Sequence, residues 1–448
     1  MFARAAATAL CAATLPQSSA GYPSVAAAWL RDGGALPPHM RDSSLPVNAR
    51  VAALLAMMTV AEKVAQVQLP VFAPFGNISA DLLGSFGATG LGFVYNSPSC
   101  PAAGNCALCA PANLTCNAAA QNALQAAMVS SSRLHIPLSV AAETVHSGAC
   151  GGAVFPSPAA LGASWDAALV RAVAATVARE ARAVGVDTGF APLLGVFTDP
   201  RAGRSEENFG GDPALVAALG AAFTDGHHAG ERGGPAAYLP ADGLVTEAKH
   251  YAAYGFDGRD GGNADISDDV LFDVYLRPWR DYAAAGGRGV MVSHNAVQSV
   301  PNHMSTRLLT NVLRGQFGLA EGVIMSDDGD VPALANFSLV ADERGAAAAA
   351  ITAGVDVDLS NAPTAYAAHL ASLVAAGAVP MAALDRAASA VLRAKFAAGL
   401  FDGATYVNAS RLPSVNDAAA RADPARRRRV HRAPEKRKCD AAAGPRPR

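Results

Sequence analysis

Gly322-Val-Ile-Met-Ser-Asp327-Asp-Gly329 is an apolar run that ends abruptly at two carboxylates, as a buried strand does where it reaches solvent. In an α/β barrel that edge carries the chemistry. A second junction of the same form lies upstream, Leu244-Val-Thr-Glu-Ala-Lys249-His250-Tyr251, where two cationic side chains appear as the apolar residues stop. Together the junctions point to one polar pocket.

From about Gly87 onward, short β-like runs alternate with Ala-rich helical patterns, the signature of βα units around a parallel sheet. Seven runs are legible, at 90–95, 136–141, 188–193, 244–248, 289–293, 322–325 and 354–359. Between them, Trp165 to Val184 sets Leu169, Val173, Val177, Ala181 and Val184 on one helical face, and Ser267 is placed to cap a helix beginning with Asp268 and Asp269. Polar residues follow nearly every run: Glu143 and His146, Asp199 to Glu207, Lys249 and His250, His294 and Asn295, Asp327 and Asp328. A doubly wound open sheet also fits seven strands. Convergence of so many strand ends on one place favours closure into a (β/α)8 barrel of the TIM type. No glycine-rich phosphate fingerprint follows a strand, which argues against a nucleotide site.

The 448 residues are 51% hydrophobic and 16% charged, enough to bury a large core, yet no apolar stretch reaches the roughly 18 to 20 residues of a spanning helix. No membrane span is expected. The start, Met1-Phe-Ala-Arg4, an apolar stretch from Ala5 to Leu15 and Ser18-Ser-Ala20 before Gly21, reads as a signal peptide over residues 1–20 and hence as secretion. Sequons at Asn77, Asn113, Asn336 and Asn408 agree with that route. Cys100, Cys106, Cys109 and Cys116 crowd one loop and read as two local disulfides. Zinc is the alternative, although no second Cys or His pair stands at ligand spacing. The net charge of −2 hides a division, because residues 421–448 hold 11 Lys/Arg against 3 Asp/Glu, leaving an acidic body with 24 against 34. The expected layout is therefore a barrel over 21–410 and a basic, unfolded tail over 411–448. The body offers no basic face or aromatic interleaving, so a nucleic-acid partner is not expected.

Each candidate site residue has a bland alternative. Asp327 could be a helix N-cap, Lys249 a surface ion-pairing lysine beside a packed histidine, and Glu143 a strand-end carboxylate paired across the barrel mouth. The loop Asp199-Pro-Arg201-Ala-Gly-Arg204-Ser-Glu206-Glu207 could be a self-satisfied ion-pair network, although one Arg can lock such a loop while the other projects its donor fork at a ligand. A carboxylate nucleophile must be ionised and rigidly aimed, and Lys249, His250 and Arg204 are expected to hold the pKa of Asp327 down. Asp328, a second carboxylate so close, is expected to push it up.

Met58-Thr-Val-Ala-Glu62-Lys63-Val-Ala-Gln66, Glu143-Thr-Val-His146, Asp199-Pro-Arg-Ala-Gly-Arg204, Lys249-His250-Tyr251, Ser293-His-Asn295, Leu313-Arg314-Gly-Gln-Phe-Gly318, Ser326-Asp327, Ala353-Gly-Val-Asp356 and Lys395-Phe-Ala-Ala-Gly-Leu-Phe-Asp402 occur in that order. Over roughly residues 42–402 the chain resembles the N-terminal barrel of glycoside hydrolase family 3, the β-glucosidase and β-xylosidase family. The resemblance implies a retaining, exo-acting β-glycosidase in which Asp327 is the nucleophile that forms the covalent glycosyl-enzyme intermediate. It also implies that Glu143, Arg204, Lys249 and His250 bind hydroxyls of the sugar in the −1 subsite. His294 stands where the family has a Tyr that hydrogen-bonds the nucleophile, and Asp328 where an aromatic residue often helps form the aglycone subsite. Glucosidases of the family usually carry Asp at the position of Glu143 and many xylosidases carry Glu, which leans the substrate toward a pentoside. No metal or cofactor is implied.

Two-domain members take their general acid/base from a C-terminal sandwich domain, and the family-like sequence here stops near Asp402. The single-domain members use an Asp-x-His dyad after the Lys-His strand, and Phe256-Asp-Gly-Arg-Asp260-Gly-Gly lacks the His. The acid/base therefore has no assigned residue. Two other readings remain open: a sugar-binding barrel fragment without turnover, and a Schiff-base enzyme using Lys249 as the amine.

Overall fold

The computed structural model describes residues 42–71, 83–95, 113–148, 152–256, 262–337, 340–403 and 406–417. Eight parallel strands run through it: β1 Gln68–Val71, β2 Phe93–Tyr95, β3 Ser139–Ala142, β4 Thr188–Gly189, β5 Val245–Tyr251, β6 Gly289–Val292, β7 Val323–Met325 and β8 Asp358–Asn361. Strands β2 to β7 pair in sequence order, and β1 pairs with β8. The two sets are joined by a parallel bridge between Met325 and Val357 on one side, and on the other the Gly92 N–H just before β2 donates to O of Ala65, in the helix that precedes β1, at 3.0 Å. This is the (β/α)8 barrel that the strand-end residues indicated.

The interior is filled by side chains rather than open. Leu69, Phe93, Ala141, Phe190, Val245, Met291, Val323, Met325, Val357 and Leu359 pack together along the barrel axis, all buried. Burial of this kind contributes about 25 cal/mol per Å² of apolar surface removed from water. Outside lies a helical layer: α1 Val47–Met57, α2 Val60–Gln66, α3 Leu114–Ser131, α4 Ala167–Ala183, α5 Pro213–His227, α6 Arg277–Ala284, α7 Arg307–Gln316, α8 Glu343–Ala353, α9 Ala365–Ala375 and α10 Met381–Ala397. Among the described residues none is long and apolar enough to cross a membrane.

Local chemistry explains several of these elements. Thr59 and Glu62 form a reciprocal capping box at the start of α2, and Arg133 grips Glu62 through both oxygens. Asp166 caps α4, where Val173, Val177 and Ala181 are buried as the periodicity requires. Ser267 accepts from the Val270 N–H at 3.3 Å, as its position predicted. The two ends of the family-like region meet inside the fold: Lys395 of α10, fully buried, donates to Gln66 Oε1 at 2.7 Å and to Leu91 O at 2.8 Å.

Several boundaries differ from expectation. Strand β1 was not among the seven legible runs, because Gln68-Leu-Pro-Val71 is short, half polar and follows α2 after one residue. Strand β4 is two residues rather than six, since Pro192 removes a ladder donor and Leu193 returns only as an isolated bridge to Lys249. Lys249 and His250 lie within β5, not after it. Residues 406–417 pack on the barrel, with Leu412 buried against Ala118 and Val407 and the Asn416 N–H donating to Glu180 at 2.8 Å. The expected signal peptide, most of the basic tail, Asp260 and three of the four clustered cysteines, Cys100, Cys106 and Cys109, lie outside the described residues.

Candidate active site

Strand β7 delivers Asp327 to the mouth of the barrel. Ser326 fastens the strand end to β8, its N–H donating to Val357 O and its Oγ accepting from the Leu359 N–H, both at 2.9 Å. Asp327 follows immediately, with a side chain 12% exposed. Its Oδ1 accepts the Asp328 N–H at 2.8 Å, and its own N–H donates to His303 Nε2 at 3.4 Å. The next helical turn begins at Asp330 with Gly329, at φ 75°, as its N-cap, so Asp327 is not the cap.

Oδ2 of Asp327 is sealed from solvent beside two histidines. His294 Nε2 is 3.0 Å away and His250 Nε2 is 3.5 Å away. No donor is aligned well enough on Oδ2 to count as a hydrogen bond, so the His294 contact acts through charge. His294 in turn points Nδ1 at Asp330 Oδ1, 2.8 Å off. Burial alone would raise the Asp327 carboxyl, but His294, then His250 and the Asp328 N–H, outweigh it and hold the group well below the usual carboxylate range. His250 is itself fully buried, and burial followed by Lys249 and Arg204 keeps its ring neutral. Of the two rings, His294 therefore carries the effect.

Lys249 and Arg204 are not among the main groups that hold the Asp327 carboxyl down. Lys249 Nζ is committed to both oxygens of Glu143, at 2.6 and 2.7 Å, with the aromatic ring of Phe190 5.8 Å away. Arg204 forks onto Glu207 at 2.9 and 2.7 Å and donates through Nη1 to His250 Nε2 at 3.2 Å. A ring nitrogen that accepts this bond has a lone pair, in keeping with a neutral His250. These cations are paired with partners of their own, and the largest influence lowering the Asp327 carboxyl is His294. Arg201 pairs locally with Asp199 on the surface, so the loop holds itself together as its composition suggested.

Asp328 also acts opposite to expectation. Burial, Asp327 and Asp330 raise the Asp328 carboxyl, while its backbone N–H helps lower that of Asp327. Three participants were not singled out from the sequence. Asp330 was visible in the same acidic run, whereas His303 and Tyr254 carry no local signal. Tyr254 packs 5.0 Å from the His250 ring and 6.1 Å from that of His294. Among the described residues no group of three or more His, Cys, Asp or Glu is arranged to hold a metal ion.

A family model, the glycosyl hydrolase family 3 N terminal domain, matches residues 59–394. The chain belongs to glycosyl hydrolase family 3. It is similar to a beta-xylosidase of Formosa agariphila, 36% identical over 260 residues covering 56% of this chain and 35% of that one. A periplasmic beta-glucosidase of Salmonella typhimurium is 34% identical over 62% of this chain and 35% of its own length. The solved structure of a β-glucosidase from Erythrobacter marinus superposes with a TM-score of 0.76 at 34% identity, covering 87% of this chain and 50% of that one. The family 3 chain described here thus spans about a third of these curated relatives and half of that solved structure.

Proposed function

We propose that this family 3 barrel is the nucleophile-bearing part of a retaining, exo-acting β-glycosidase that releases xylose or glucose from the non-reducing end of β-linked glycosides. The observation that carries the reading is Asp327 at the end of β7, 12% exposed, with Oδ2 sealed 3.0 Å from His294 and its carboxyl held below the usual range. With Oδ2 sealed, attack on an anomeric carbon falls to Oδ1, and the ester so formed is the glycosyl-enzyme intermediate. The Glu143–Lys249 pair, with Arg204 and the neutral His250 ring beside it, supplies charge and hydrogen-bonding groups able to grip vicinal hydroxyls. A Schiff-base role for Lys249 is disfavoured, because its amine, though buried, is paired with both oxygens of Glu143.

Relatives named as both beta-xylosidase and beta-glucosidase leave the sugar open, and Glu143 favours the pentose. Secretion, with residues 1–20 as signal peptide, belongs to the same proposal, whereas the expected tail boundary at 411 is displaced because residues 411–417 pack on the barrel. Disulfide pairing within the cysteine cluster belongs to the same proposal. The test is labelling by 2-fluoro xyloside and glucoside with activated leaving groups, followed by peptide mass mapping. The expected result is one covalent adduct on Asp327 and none in Asp327→Asn. A label elsewhere, or none with either sugar, would overturn the assignment.

A further inference from the structure

His294 occupies the place of the family's tyrosine, yet its surroundings are those of a cation. Its ring lies between two carboxylates from the loop after β7, with Nε2 3.0 Å from Asp327 Oδ2 and Nδ1 2.8 Å from Asp330 Oδ1. Nδ1 is hydrogen-bonded to Asp330 and carries hydrogen toward it, and the second carboxylate beside Nε2 favours a proton there as well, which favours an imidazolium. Every other charged or titratable group nearby leaves that charge in place. From β5, His250 is neutral and Lys249 is tied to Glu143. From the loop after β4, Arg204 is tied to Glu207. From the turn at Asn302–Met304, His303 Nε2 lies 3.4 Å from Asp330 Oδ2 but accepts the Asp327 N–H, so it cannot also donate to Asp330. Tyr254 presents its ring, and Asp328 adds a third carboxyl to the same loop.

We propose that His294, anchored as an imidazolium by Asp330, is the positioning residue that keeps Asp327 ionised and aimed, and so sets the acid limit of the reaction. The proposal rests on Asp327 being the nucleophile. Contacts with Asp327 and Asp330 outweigh burial and carry the His294 ring up to about 10, so it stays charged across the neutral range. It is not the missing proton donor. In a retaining enzyme the acid/base group stands about 5–5.5 Å from the nucleophile to reach the leaving oxygen, and Nε2 is too close for that. A phenol at this position could share a proton with Asp327 but could not offset its charge. Removing the imidazolium takes away the largest influence opposing burial and leaves His250 and the Asp328 N–H, so the Asp327 pKa is expected to rise and the acid limb of the rate profile to move upward.

The experiment compares His294→Gln, Asp330→Asn and the double variant, each checked for folding by circular dichroism, with the unmodified protein. Fluoroglycoside labelling of Asp327 is timed across pH, and the His294 ring is titrated by NMR in the unmodified protein and in Asp327→Asn. The acid limb of labelling is expected to rise by about 1–3 pH units in His294→Gln. It should rise less in Asp330→Asn, and the double variant should match His294→Gln because Asp330 acts through the ring. The ring should remain protonated above pH 8 and titrate lower in Asp327→Asn. Unmoved limbs in folded variants, or a ring titrating near its ordinary value of about 6.5, would overturn the proposal. Failure of the unmodified protein to label at Asp327 would instead count against the glycosidase reading, and the ring titration, which needs no turnover, would still decide the role of His294.

Discussion

Glu143 meets Lys249 through both carboxylate oxygens while its side chain remains 40% exposed, so it is held in place and still available to a ligand. If it lines the −1 subsite, its extra methylene fills the space of a hexose hydroxymethyl group. Glu143→Asp should then move the ratio of kcat/KM values toward glucoside by about tenfold or more, since one methylene in a pocket is worth about 1–3 kcal/mol. Parallel kinetics on aryl xyloside and aryl glucoside check this, and an unchanged ratio would remove Glu143 from the subsite. Two positions below Lys249 on β5, Glu247 is fully buried, with both oxygens unpartnered and packed against Gly289. Burial, and then Asp356, push its carboxyl well above the ordinary value. A folded pKa above the unfolded one means stability that is complete at low pH and is lost as pH rises, by up to about 1.4 kcal/mol per pH unit above roughly 4.3. Glu247→Gln should thus raise the urea midpoint at pH 8 and change it little at pH 4. Equal effects at both would show that Glu247 does not titrate through folding.

At the scale of elements, Asp356 binds three of them together before β8 begins. It is paired with Arg314 of α7 and with Arg386 of α10, the latter at 3.1 Å, and it accepts the Ile324 N–H of β7 at 2.9 Å. Asp356→Ala leaves two arginines and a strand amide without their acceptor. The expected cost is about 3–5 kcal/mol, read from equilibrium unfolding, and a loss under about 1 kcal/mol would show that water replaces the carboxylate. Both partners stand in motifs, Leu313-Arg314 and Val355-Asp356, so the clasp was legible as residues that matter but not as a pair 42 positions apart. The same holds for the site. Asp327, Lys249 and His250 announce themselves because a charge at the end of an apolar run is costly without a purpose. Their partners are set by which strands are neighbours and by how loops fold back, as with His303, and no local pattern encodes that. Strand β1 escaped notice for the opposite reason: Pro70 and Gln68 hide a strand that exists only because β8 and the end of α2 receive it.

For the whole molecule, the question is which step a barrel of this kind performs without an assigned acid/base. On the proposed reading, the described residues bring together the nucleophile, Asp327, and the charges that would bind hydroxyls. Glu207 is occupied by Arg204, and the exposed Asp328 is adjacent to Asp327 in the chain. A leaving group that departs as a stable anion needs little protonation, so an activated aryl glycoside should still glycosylate Asp327, whereas the alkoxide of a disaccharide leaves poorly unaided. Deglycosylation also needs a base to deprotonate water, so the aryl substrate should give a burst equal to the enzyme concentration followed by slow turnover. Azide requires no deprotonation and should accelerate that second phase with formation of a β-glycosyl azide, which stopped-flow and product analysis detect. Efficient cleavage of xylobiose or cellobiose without azide would refute the prediction. It would also place a proton-transferring carboxylate on this chain, with Asp328 as the first residue to replace, because burial and its acidic neighbours already raise its carboxyl in the direction an acid/base requires.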